Sequence, residues 1–101
     1  MNEINQLVLD CMARVLRINQ TTDADIFFYY SPHVDCIEIN GYKKGYYNSP
    51  ANKDGHPIVD YLPLGNTTTG MLCIANKDSE EKLRQLLSSL DALEKELINA
   101  K

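Results

Sequence analysis

Long apolar runs are missing from this chain. None exceeds five residues, the length reached at Ile26–Tyr30 and Met71–Ala75, whereas a membrane-spanning helix needs about 20. The opening Met1-Asn2-Glu3-Ile4 carries no positive segment leading into an apolar one, so neither export nor membrane insertion is expected, and the expected location is the cytoplasm. Basic charge is also scarce. Ten Lys and Arg stand against 14 Asp and Glu, for a formal net charge of −4. That balance excludes a protein whose main task is neutralising a phosphate backbone. Cysteine is sparse: Cys11, Cys36 and Cys73 are odd in number and widely spaced, which suits reduced thiols rather than a disulfide framework.

Several catalytic and metal-binding signatures are missing too. No two cysteines are separated by two residues, the pairing that structural zinc sites favour. His33, Asp35 and Cys36 lie close in sequence, but on an alternating strand Asp35 and Cys36 point to opposite faces. A nucleophilic pair could be written from Cys36 or Cys73 with His33 or His56, since such partners need only be close in space, but nothing local supports it. The segment Gly65–Gly70 lacks the Gly-Lys-Ser/Thr ending of a phosphate-binding loop and leads into an apolar strand, so it reads as a hairpin loop. The acids of the C-terminal region fall on a solvated helix face. No catalytic residue, metal ligand or cofactor is therefore expected.

What is present suffices for one packed core: 101 residues at 44% hydrophobic content, expected to form a single α+β domain over residues 1–101. Ile4, Leu7, Val8, Cys11, Met12, Val15, Leu16 and Ile18 recur at helical spacing and predict an amphipathic helix over residues 3–18. The polar cluster Asn19–Asp23 should end it. Residues 25–30, dense in aromatic and β-branched types, and residues 34–40 predict a hairpin turning at Ser31-Pro32-His33. Asn40-Gly41 reads as a turn or bulge from which strand character can continue to Tyr42. Residues 58–62 and 71–75 predict a second hairpin. Asp78, three residues before Glu81, predicts a capped helix over residues 78–98. Its leucines Leu83, Leu86, Leu90, Leu93 and Leu97 form a seam that packs on the sheet or on a second copy. The expected order is α-β-β-β-β-α: a four-stranded antiparallel sheet with both helices mainly on one face.

Residues 43–57 form a long loop for so small a domain, and such loops are commonly functional or disordered. The stretch Gly41–Pro50 at its start gathers three of the six tyrosines, Tyr42, Tyr46 and Tyr47, with Lys43 and Lys44. Tyrosine offers large contact area with few rotamers to freeze, so these five residues are the candidate interaction site, against the plainer reading that the rings cap a sheet edge. The first strand is apolar on both faces, Ile26, Phe28 and Tyr30 on one and Phe27 and Tyr29 on the other. Helices can cover only one face, so the other needs the loop, a partner or a second copy.

The run Tyr30-Ser31-Pro32-His33-Val34, a strand, then Tyr42 and Gly45-Tyr46, resembles a pattern in small uncharacterised proteins of phages and prophages of Gram-positive bacteria. Those read Tyr-Ser-Gly-His-Val, a strand, then Tyr and Gly-Trp. Pro32 and Tyr46 depart from that pattern. The resemblance implies a phage accessory protein and brings no active site. The expected function is non-enzymatic protein binding, with a host or phage protein as partner, no membrane partner, and a homodimer as the assembly. The alternatives are a nucleic-acid accessory protein using Lys43, Lys44 and Lys53, and, last, a small enzyme or metal protein.

Overall fold

The computed structural model describes residues 2–51, 53–64 and 71–100. They form an α+β arrangement in which helix α1 (Glu3–Thr21) is followed by strands β1 (Asp25–Ser31) and β2 (Cys36–Tyr42). Strand β3 (Met71–Cys73) and helix α2 (Ser79–Asn99) come after. The sheet is antiparallel, in the order β1-β2-β3.

Helix α1 starts where Asn2 accepts a hydrogen bond from the Asn5 N–H at 2.7 Å, a side-chain N-cap. It runs one turn into the polar cluster expected to stop it. Thr21 and Thr22 turn their hydroxyls back onto the carbonyls of Arg17 and Ile18, each at 2.8 Å, and the Thr22 N–H donates to the Ile18 carbonyl at 3.0 Å, closing the last turn. Asn19 makes a different use of its side chain. Its Nδ2 donates to the Ile26 carbonyl and its Oδ1 accepts from the Ile26 N–H, both at 2.8 Å. The amide thus meets the start of β1 as a neighbouring strand would.

The first turn is tighter in sequence than expected on one side and longer on the other. Residues 32–35 form it, with Asp35 at a φ of 53°, and β2 begins at Cys36. The strand then runs through Asn40-Gly41 without a turn. Gly41 is needed for a close approach: a Cβ there would stand 2.6 Å from the Asp25 carbonyl oxygen and 2.9 Å from the Ile26 Cα. Gly41→Ala is therefore expected to destabilise the fold by about 1–3 kcal/mol, the cost of overpacking, read as a lower urea midpoint with unchanged slope.

The second hairpin is not as expected. Among the described residues, 58–62 holds a single bridge, Tyr61 to Gly41, and no ladder. β3 pairs with β2 instead, Cys36 opposite Cys73 and Ile37 opposite Leu72. One edge of β2 is thus shared, its first half with β3 and its end with Tyr61. Residues 65–70, expected as the hairpin loop, lie outside the described residues.

Helix α2 begins at the expected place, but Asp78 makes no capping hydrogen bond from its side chain. Its carboxylate meets Lys82 Nζ at 3.1 Å instead. The leucine seam is turned inward: Leu83, Leu86, Leu90 and Leu93 are buried in one cluster with Leu7, Cys11, Val15 and Ile18 of α1 and Ile26, Ile37, Ile39 and Leu72 of the sheet. The seam is consequently core and not a surface open to a second copy. Ion pairs mark the helix contact, with Glu3 on Arg84, Arg14 on Asp91 at 2.7 Å and Arg17 on Glu94 at 2.6 Å. Their numbers rise together, so α1 and α2 lie side by side in the same direction. The hydrogen bonds from Arg17 hold the Glu94 carboxyl below its ordinary pKa. These exposed pairs add at most about 1 kcal/mol each; burial of the apolar cluster dominates.

Candidate functional site

Strand alternation decides what the sheet shows on each side. Ile26, Phe28 and Tyr30 stand opposite Gly41, Ile39 and Ile37 on the face the helices cover. Phe27 and Tyr29 stand opposite Asn40 and Glu38, and Asp25 opposite Tyr42, on the other. On that second face five aromatic rings follow one another. Phe27 and Tyr29 lie near parallel with centroids 6.2 Å apart, and Phe27 meets Tyr42 edge-on at 6.0 Å. Tyr42 meets Tyr46 at 5.3 Å, and Tyr46 meets Tyr47 at 5.2 Å, both edge-on. Such edge-to-face contacts each add about 0.5–1.5 kcal/mol beyond burial.

The loop is brought to the sheet by backbone contacts. Gly45, at φ 91°, passes so close to the Asp23 carbonyl that a Cβ would stand 2.8 Å from it. One residue on, the Tyr46 N–H donates to Asp25 Oδ2 at 2.7 Å. A short 3-10 turn over Tyr46–Asn48 then projects Tyr47, which is 93% exposed. Tyr42, Tyr46 and Tyr47 therefore belong with Phe27 and Tyr29. Lys43 does not: its ammonium lies 3.3 Å from Glu96 of α2, and its N–H donates to Asp60. Lys44 is exposed beside Thr22 and Asp23. Phe27 and Tyr29 were not among the candidate residues, although the two-sided apolar character of β1 already pointed to them.

The same face carries the covalent link that the cysteine count did not suggest. Cys36 and Cys73 form a disulfide, with Cα atoms 4.1 Å apart. The expectation of reduced thiols is corrected for these two, because their strands are paired in the register that sets them opposite. Neither can serve as a thiol nucleophile or metal ligand while bonded. Among the described residues no group of three or more His, Cys, Asp or Glu converges as a metal site would. No helix among them is long and apolar enough to cross a membrane.

Cys11 keeps a free thiol, buried in the core and 3.8 Å from the Leu83 carbonyl. Burial, with a smaller push from Asp10, raises its pKa from 9.0 to about 11. The folded state thus holds this proton more tightly than the unfolded one. Its contribution to stability is complete below pH 9 and is lost as pH rises toward 11. Unfolding free energy measured across that range is expected to fall, with a shallower slope in Cys11→Ala, and native Cys11 is expected to resist neutral alkylating reagents at pH 7.

On the helix-covered side a groove of about 360 Å³ is lined by Val8, Leu9 and Met12 of α1 and by Phe28, Tyr30 and Ile74, with Asn5 and Asp35 at its margins. The Tyr30 hydroxyl donates to Asp35 Oδ1 at 2.7 Å, and that bond raises the phenol's pKa.

Over the described residues the fold is α+β, and its three-stranded antiparallel sheet presents an aromatic face. The chain matches no protein-family model, no curated protein and no solved structure.

Proposed function

We propose that this chain is a non-enzymatic binding protein that docks a protein partner on the aromatic face formed by Phe27, Tyr29, Tyr42, Tyr46 and Tyr47. The observation that carries this is the continuity of the five rings from the sheet onto an exposed loop. Large, stiff side chains already held in place by one another lose little entropy on binding. Glu38 and Asn40, half-buried on the same face, supply hydrogen-bonding groups between the rings, as a polar complement to an aromatic contact requires. The motif resemblance supplies the setting, an accessory protein of a phage or prophage.

The test uses the intact chain as bait, with binding of the captured protein then measured in purified form. Tyr46→Ala/Tyr47→Ala is expected to weaken it by about 2 kcal/mol or more, as loss of paired hot-spot residues does. Stability should fall by no more than about 0.5–1.5 kcal/mol at the exposed Tyr47, the worth of its edge contact with Tyr46. Unchanged affinity in the double variant would defeat the reading. Capture of single-stranded nucleic acid that collapses steeply with salt would replace it with phosphate recognition by the lysines.

A further inference from the structure

Strand β1 is an edge of the sheet, and its free side can be read from the bonds on the far side of β2. Gly41 exchanges both backbone hydrogen bonds with Tyr61, and the Ile74 N–H donates to the Asp35 carbonyl. Odd-numbered residues of β2 therefore turn their backbone groups away from β1, and even-numbered ones turn theirs toward it, as antiparallel pairing alternates. By the register, Asp25, Phe27, Tyr29 and Ser31 are bonded to β2. Ile26, Phe28 and Tyr30 present their N–H and C=O groups outward.

The three outward residues are not treated alike. Asn19 takes both groups of Ile26, closing that end of the edge. Among the described residues nothing takes those of Phe28 or Tyr30. An exposed row of this kind is a template for another strand. Beside it, the flank of α1 holding Asn5, Leu9, Met12, Ala13, Leu16 and Gln20 is exposed and carries no charge. Glu3, Arg14 and Arg17 are all on the α2 side, in ion pairs. Leu9, Met12 and Leu16 are 41, 43 and 57% exposed.

We propose that β1 pairs antiparallel with β1 of a second copy about a twofold axis at Tyr29, joining two sheets into one of six strands. In that register Phe28 faces Tyr30 of the partner subunit, and Tyr30 faces the partner's Phe28. The four unpaired groups on each copy satisfy one another, while both Asn19 caps stay in place. A second copy is the occupant because a twofold contact sets a surface against itself, which like charges would oppose and this uncharged apolar flank does not. The aromatic face stays open, and Tyr29 brings the two arrays together.

Sedimentation equilibrium of the full chain over a rising concentration series tests this. The parent should move from 11.4 kDa toward twice that mass, and the Phe28 and Tyr30 amides should exchange more slowly with deuterium as it does. Tyr30→Pro removes an N–H that the monomer does not use, a replacement an edge strand tolerates, and should hold the mass at 11.4 kDa. Met12→Lys, exposed and on the uncharged flank, should also favour the monomer, whereas Tyr47→Ala should leave the mass unchanged, which separates this contact from partner docking. A parent that stays at 11.4 kDa throughout overturns the proposal. So does a dimer in which the Phe28 and Tyr30 amides exchange as fast as in the monomer, a reading that holds even if Tyr30→Pro fails to fold.

Discussion

Leu90→Asp is expected to unfold this chain rather than to separate two copies of it. Leu90 is 0% exposed and sits in the cluster shared by both helices and the sheet. Removing a buried leucine side chain alone costs about 2–5 kcal/mol. Aspartate adds a carboxylate that must be buried unpaired or taken up protonated, at several kcal/mol more. Together these rival the whole stability of a domain this size, about 5–15 kcal/mol. Far-UV circular dichroism should show loss of helix and no cooperative transition on heating. Leu90→Ala should keep a cooperative transition, with unfolding free energy lower by about 2–5 kcal/mol. A folded Leu90→Asp would show that the α2 seam does not form the core.

Opening the Cys36–Cys73 disulfide has the next largest expected effect. The two residues are 37 apart in sequence, and loop closure over that span restricts the unfolded chain by about 4 kcal/mol. β3 is only three residues long, so little else in the ladder holds it to β2. Urea unfolding of the oxidised parent should therefore fall by about that amount on adding a dithiol reductant. Cys73→Ser should unfold at the reduced parent's midpoint with or without reductant. Thiol titration gives an independent measure: without reductant the unfolded parent should show only Cys11, and with reductant all three cysteines. Equal midpoints for oxidised and reduced parent would mean that the bond constrains nothing the strands do not already hold.

Both predictions turn on contacts between residues far apart in the chain, and that distance separates what was legible in the residues from what was not. The amphipathic stripes of α1 and α2 were legible because a helix repeats every 3.6 residues within one segment. The alternation of β1 and β2 was legible for the same reason, and with it the two-sided aromatic character of the first strand. Even there the ends moved. The backbone bond from the Thr22 N–H to the Ile18 carbonyl carried α1 past its expected end, and Gly41 proved to be a site of close packing inside β2 rather than a bend.

The pairing of β3 was not legible. Residues 58–62 and 71–75 have similar apolar patterns, and each fits the same edge of β2; which of them forms a ladder there depends on register and packing over long loops, not on either segment's composition. From that pairing follow the disulfide, since Cys36 and Cys73 become opposite, and the reversal of the cysteine reading. The candidate site divides the same way. Tyr42, Tyr46 and Tyr47 stood out in the sequence as a cluster. Their continuation through Phe27 and Tyr29, and the turning of Lys43 away to Glu96, came from the β1-β2 register and the close pass of Gly45 at Asp23. The sequence by itself determined the two helices, the first two strands and the tyrosine cluster at residues 42–47, because each of these is set by neighbours within a few residues. Only the tertiary structure decided which edge β3 takes, which leucines are core and which rings share a face, because those depend on residues brought together across dozens of positions.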